Sequence, residues 1–270
     1  MIFIYLKSII FGVIQGATEF LPVSSSGHLI ILHKYLGLPV QNEVMFDVLL
    51  HLATLIAVIV FFWDDIKKIV IAWFKSFFGY RSDYTKLSWF ILLATMPAAL
   101  VGFFFENLIE NVFRSVLVVA FMLVLVGVFF IVVEKIAKKE KTLNQLNAKN
   151  FLFIGIAQAL ALIPGTSRSG ITIIAGLFTK LKREEAIRIS FLMSIPIIAG
   201  ASLLNLGALL SSGVDKNELI VMTISFASAF FSAILAIKYF LKFATKHGLV
   251  VFAYYRFLLA LLIVLTYLLA

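Results

Sequence analysis

Two stretches of this 270-residue chain carry side chains that could do chemistry. The first, GVIQGATEFLPVSSSGH (12–28), holds Gln15, Glu19, Ser24, Ser25, Ser26, Gly27 and His28. The second, GIAQALALIPGTSRSG (155–170), holds Thr166, Ser167, Arg168 and Ser169. At an offset of 143 residues Gly12 matches Gly155, Gln15 matches Gln158, and Ser26-Gly27 matches Ser169-Gly170, with the prolines displaced by one. Polar groups inserted twice into apolar sequence at one fixed separation point to a single shared site.

The chemistry follows from the residue types. Glu19 stands four residues after Gln15, so both share a helix face. A carboxylate inside a membrane needs a cation, which a metal ion, Arg168 or a protonated His28 could supply. Ser24, Ser25, Ser26 and Gly27 after Pro22 suit a tight turn into a helix N-terminus whose free N–H groups bind anions, although one serine would suffice as an N-cap. His28 could act there as nucleophile, acid or base. Arg168, flanked by hydroxyls and glycines, has the form of a phosphate clamp, which is compatible with an ion pair to Glu19 or Asp47. His33, His51 and His247 lack such neighbours in sequence and read as structural. Together the groups describe an anion pocket for a lipid phosphate or diphosphate. Phosphoryl transfer there would use Arg168 and a divalent cation for charge and His28 or Ser25 for attack or proton transfer.

Composition says what must position these groups. The chain is 62% hydrophobic, 14% charged and has a mean hydropathy of +1.08, outside the soluble globular range. An all-α integral membrane protein is expected, with most of its 28 Phe facing lipid. The net charge of +9 lies in short loops rather than on one soluble face, so no nucleic-acid partner is expected. Without Cys there are no disulfides or thiolate metal sites. The first apolar segment lacks a basic start and a small-residue cleavage site and is expected to be retained.

Six apolar stretches are long enough to cross a bilayer: 46–63, 87–105, 115–133, 189–210, 219–240 and 249–269. Each polar cassette is instead a short apolar piece, a Pro/Gly/Ser break and a second short piece, the pattern of a re-entrant helix hairpin. Basic residues in 64–86 and 134–149, and around Lys180 to Arg188 and Lys238 to Lys246, place those loops in the cytoplasm. The connections at 41–43, 106–110 and 215–218 are poor in Lys and Arg and belong outside. These assignments alternate only if each hairpin enters and leaves on one side. The result is an inverted-topology repeat of 1–133 and 150–270, each with a hairpin and three spans, joined by a cytoplasmic linker over 134–149. The same offset pairs Phe46–Leu50 with Ile189–Met193.

With these residues in view, QGATEFLPVSSSGH resembles the first signature of the undecaprenyl-diphosphate phosphatase (bacitracin-resistance) family, and PGTSRSG resembles its second. ISFLMSIP and Tyr255-Arg256-Phe257 are also similar to that family, so the resemblance spans nearly the whole chain. It implies hydrolysis of undecaprenyl diphosphate to undecaprenyl phosphate, recycling the lipid carrier for envelope polymers, in the bacterial plasma membrane with a pocket open to the periplasmic or outer side. It implies a divalent cation, magnesium or calcium, with Gln15 and Glu19 in the metal-binding acidic motif. It implies His28, Ser25, Glu19 and Arg168 as catalytic residues, with Ser24, Ser26, Gly27, Thr166, Ser167 and Ser169 lining the substrate turns. Many members have Glu where this chain has Gln15, so the metal would rest mainly on Glu19, substrate phosphates and water. The choice between His28 and Ser25 as nucleophile stays open, as does a homodimer. The rival reading is a secondary transporter or flippase of a polyprenyl phosphate, because inverted repeats with broken helices also build transporters. A structural membrane scaffold leaves Glu19 and Arg168 unexplained.

Overall fold

A computed structural model describes residues 2–113, 115–211 and 215–269 of the chain. The outer bounds of the two expected repeats, residues 1 and 270, lie outside these. Among the described residues there are eleven α-helices, one 3-10 turn and no strand. Seven helices among the described residues are long and apolar enough to cross a membrane. The protein is an all-α integral membrane protein.

The elements are α1 (Ile2–Phe20), α2 (Ser25–Tyr35), α3 (Glu43–Phe61), α4 (Trp63–Ser76), α5 (Asp83–Val112) and α6 (Val116–Ile136), then α7 (Ala148–Leu160), α8 (Arg168–Phe178), α9 (Arg183–Ser211), α10 (Lys216–Lys246) and α11 (Val250–Leu268). Local signals set several helix starts. Asn42, Ser115 and Asp215 each cap a helix, accepting from the N–H three residues on at 3.2, 3.2 and 2.8 Å. The order of helix pair then long helices occurs twice, as α1–α2 followed by α3, α5 and α6, and as α7–α8 followed by α9, α10 and α11.

The structure departs from the expectation in three places. The second cassette has two short arms, but the first arm of the first cassette is the 19-residue α1, because the apolar run from Ile2 extends it back from Gly12. That arm raises the count of sufficiently long helices from six to seven. The basic stretch 64–86 is mostly the amphipathic helix α4, whose Ile66 and Ile69 pack on the core while Lys67 and Lys68 face outward. Residues 106–110, expected in a connection, are helical, but beyond a break at Phe105 (φ −119°, ψ 16°), where the expected span 87–105 also ends.

Each first arm packs against a long helix of the other half, α1 against α10 and α7 against α5, while α3 meets α9 and α6 meets α11. Two matched glycines permit the first pair of contacts. A Cβ on Gly12 would collide with Ser225 O and Ala229 N of α10, and one on Gly155 would collide with Ala94 O of α5. Hydroxyls lace the α1–α10 seam, with Ser225 Oγ donating to Ser8 O at 3.0 Å and Ser232 Oγ to Val13 O at 2.8 Å. The two halves are therefore interleaved, and neither buries its hairpin alone.

Overpacking a close helix contact costs about 1–3 kcal/mol, so Gly12→Val and Gly155→Val are expected to lower unfolding free energy in detergent by about that amount each. Gly200→Ala is the contrasting case, because a Cβ there meets nothing within 4 Å. It should leave stability unchanged or raise it by up to about 1 kcal/mol. Equal losses at Gly12 and Gly200 would show that close approach of α1 to α10 is not what the glycine serves.

Candidate active site

The two hairpin turns are built alike. Ser24 and Ser167, 143 residues apart, both have positive φ, 75° and 71°. Each caps the helix that follows, Ser24 Oγ accepting from Gly27 N at 3.3 Å and Ser167 Oγ from Gly170 N at 3.1 Å. Each is also paired with the serine two residues on, Ser26 at 3.3 Å and Ser169 at 3.2 Å. Those second serines cross between the turns: Gly165 N donates to Ser26 Oγ at 3.4 Å, and Ser169 Oγ donates to Leu21 O at 3.1 Å. The tips meet, and serine hydroxyls satisfy backbone groups that the bilayer cannot.

At this junction lies the ionic cluster. Glu19 Oε1 accepts from Arg168 Nη2 at 2.8 Å. Glu19 Oε2 accepts from Ser25 Oγ and from Gln15 Nε2, both at 3.0 Å, and faces His51 Nδ1 at 3.1 Å. Arg168 Nη1 donates to Ser190 O at 3.0 Å, tying the guanidinium to α9. Glu19 is 6% exposed, so its charge is carried by these partners rather than by solvent.

Two cavities open from the cluster. One of about 190 Å³ has Glu19, His51, Gln158 and Arg168 in its wall and is otherwise mainly apolar. The other, about 520 Å³, is lined by Ser26, His33, Lys34, Glu43, Asp47 and His51 among others. His51 and Val48 belong to both. In the smaller cavity an amphipathic ligand can therefore meet Glu19 and Arg168 with its charged groups and hydrocarbon on the rest of the wall, while Ser25, bonded to Glu19 Oε2, lines neither cavity.

The remaining expected residues are placed as follows. Ser24, Thr166, Ser167 and Ser169 are buried, with hydroxyls engaged in the turns, Thr166 Oγ1 donating to Ile163 O at 2.7 Å. Gly27 lies beneath the Ser24 cap. His28 is buried and, like Ser25, lines neither cavity. Its Nδ1 lies 2.7 Å from Ser24 O, which can only accept, so Nδ1 carries the proton. In the neutral ring Nε2 then accepts from Tyr255 Oη at 2.7 Å.

Two residues outside the expected set belong to the site. His51, read from sequence as structural, contacts Glu19 and lies 3.0 Å from Gln15 Nε2. Arg256 is 0% exposed and donates only to carbonyls: Pro22 at 3.2 Å in the first turn, Gly165 at 2.8 Å and Thr166 at 3.1 Å in the second, and Met122 and Leu123 of α6. Its guanidinium holds the two turns together. Both residues sit inside apolar spans, and an ionisable group there is a signal that sequence alone provides.

Among the described residues no group of three or more His, Cys, Asp or Glu could hold a metal by itself. Gln15 Oε1, however, is buried without a hydrogen-bond partner beside Glu19. One carboxylate and one free amide oxygen fit a hard cation that takes most of its ligands from phosphate and water.

Lysine offers three donors at a point where Arg256 offers a planar fork, so Arg256→Lys is expected to lower the thermal midpoint in detergent by about 5–10 °C. An unchanged midpoint would remove Arg256 as the brace between the turns.

The family model described as bacitracin resistance protein BacA matches residues 8–262. An undecaprenyl-diphosphatase of Rubrobacter xylanophilus is 44% identical over 262 residues, 96% of each chain. One from Caldicellulosiruptor bescii is 43% identical over 268 residues, 97% of each. A third, from Moorella thermoacetica, is 42% identical over 259 residues and 96% of each. By the span of the family match and the extent of these identities, the chain belongs to the bacitracin resistance protein BacA family.

Proposed function

We propose that this protein is a membrane phosphatase that hydrolyses undecaprenyl diphosphate to undecaprenyl phosphate and inorganic phosphate, returning the lipid carrier to cell-wall synthesis and conferring bacitracin resistance. Full-length relatives that carry the name undecaprenyl-diphosphatase support the substrate. The observation that carries the chemistry is Ser25 Oγ donating to Glu19 Oε2 at 3.0 Å, with Arg168 on the other carboxylate oxygen. This is a hydroxyl beside a base, with a guanidinium where phosphate charge would sit.

In this reading Arg168 binds and orients the diphosphate. Ser25 Oγ forms a bond to the terminal phosphorus, its proton passes to Glu19, and the phosphorus–oxygen bond to the prenyl phosphate breaks. Water then attacks the phosphorus of the phosphoserine, the bond from Ser25 Oγ to phosphorus breaks, Glu19 returns its proton to Ser25 Oγ, and inorganic phosphate leaves with the water's oxygen and protons. Glu19 and Gln15 Oε1 would hold a divalent cation, magnesium or calcium, which neutralises charge on the diphosphate. His28, bonded to Ser24 O and Tyr255, holds the turn that presents Ser25.

The same reading sets the protein in the bacterial plasma membrane as an inverted-topology repeat, hairpins entering from opposite faces and the 520 Å³ cavity opening outward. The meeting of the two turns and the repeated element order support it. A flippase needs no nucleophile beside a carboxylate, so the Ser25–Glu19 contact favours the enzyme.

Purified protein with magnesium or calcium is expected to release phosphate from a long prenyl diphosphate, and a total lack of release would exclude the enzyme. Ser25→Ala should lower kcat by at least about a thousandfold, whereas Tyr255→Phe should cost no more than about tenfold. Enzyme quenched in dodecyl sulfate near neutral pH, where phosphoserine and phosphohistidine both survive, should carry the phosphate on Ser25. Finding it on His28 instead would reverse the roles given to those two residues.

A further inference from the structure

We propose that the prenyl tail of the substrate lies along the seam between α5 and α9, running from the Arg168 cluster to the amphipathic helix α4. The inference rests on the proposed function and adds to it the part of the protein that reads the hydrocarbon. It begins with the smaller cavity, since Glu19 and Arg168 form one part of its wall and Ala98, Leu162, Ile197 and Ile198 form another. A diphosphate held by Arg168 has its first isoprene units here.

A second apolar cavity of about 220 Å³ follows along the same two helices. Its wall includes Ile69 and Trp73 of α4, Leu92 of α5, and Leu192, Ile195 and Pro196 of α9. On both α5 and α9 the second cavity precedes the first in sequence, so the helices run side by side in the same direction and the cavities are stacked along their seam. From Leu192 to Ala201 the wall spans nine residues of α9, about 14 Å at the helical rise. An apolar cavity of about 150 Å³ is enough for a benzene-sized hydrocarbon, so each cavity has room for a branched five-carbon unit. Pro196 cannot donate to the Leu192 carbonyl, which loosens α9 where the second cavity forms. The rim of the second cavity is open to lipid, with its lining residues Val70 44% and Leu92 38% exposed, so a long tail can enter sideways.

The other cavities suit a tail less well. The 520 Å³ cavity is lined by Lys34, Glu43 and Asp47, and hydrocarbon there would desolvate charge. It suits water and departing phosphate. A cavity of about 360 Å³ between α1 and α10 is apolar, lined by Leu21, Leu235 and Tyr239 among others, but none of the site's charged residues reaches it.

Two Trp substitutions that fill the second cavity, Leu92→Trp and Ile195→Trp, test the proposal, with phosphate release measured from undecaprenyl diphosphate and from dimethylallyl diphosphate, whose single five-carbon unit ends in the first cavity. Loss of about two methylene-sized groups of tail burial corresponds to roughly tenfold. The ratio of kcat/KM for the long chain to that for the short one is therefore expected to fall about tenfold in both variants. An unchanged ratio overturns the proposal, whereas failure of the wild type on both substrates overturns the phosphatase reading instead. Should the variants fold poorly, photolabelling of the wild type decides. A prenyl diphosphate of about four isoprene units, long enough for the ~14 Å seam and bearing a diazirine at its far end, should label peptides around Trp73, Leu92 or Ile195. Labelling around Leu235 and Tyr239 would place the tail between α1 and α10 and contradict the seam.

Discussion

A carboxylate and a guanidinium within an apolar bundle are each costly alone, and their cost falls only when they meet. Glu19 ends the first arm of one hairpin and Arg168 begins the second arm of the other, so their 2.8 Å contact can form only when the two turns touch. Much of the centre of the protein follows from that requirement. Helices broken inside hydrocarbon expose amide and carbonyl groups, and these are met by the capping serines, by the two serines that cross between the turns, and by the carbonyl-filled guanidinium of Arg256. The packing of α1 on α10 and of α7 on α5 then carries each hairpin on the opposite half.

The two turns share a frame and differ in what they hold. Ser24 matches Ser167 in sequence offset, backbone conformation and capping bond. One residue on, Ser25 faces Arg168 in the match, and Glu19 and His28 correspond to Leu162 and Ile171. One copy therefore supplies hydroxyl and carboxylate, and the other supplies the cation that makes the carboxylate tolerable. Because the pieces come from sites some 150 residues apart, neither half holds a complete pocket.

This division explains how much could be read beforehand. Gln15, Glu19, Ser25 and Arg168 stand out because polar residues in apolar sequence are expensive, and the doubled cassette and its match at offset 143 are visible in the sequence alone. The length of α1 was obscured because its apolar run merges with the cassette, and α4 because its charges read as a loop. The contacts of His51 and Arg256 are hidden for a different reason. Their partners, Glu19 and the carbonyls of both turns, are 32 or more residues away in sequence, and spacing carries no information about such contacts. His28 shows the same limit in reverse, since its neighbours in sequence suggested the anion pocket while its ring is bonded to Ser24 O and Tyr255.

The ionic contact between the turns is tested most directly by a double-mutant cycle on unfolding free energy in detergent micelles, using Glu19→Gln, Arg168→Gln and the pair together. Each single change leaves one buried charge unmatched and should cost about 3–5 kcal/mol, while the double variant should lose less than the sum by about 2 kcal/mol or more. Additive losses within about 0.5 kcal/mol would mean that Glu19 and Arg168 do not hold the turns to each other.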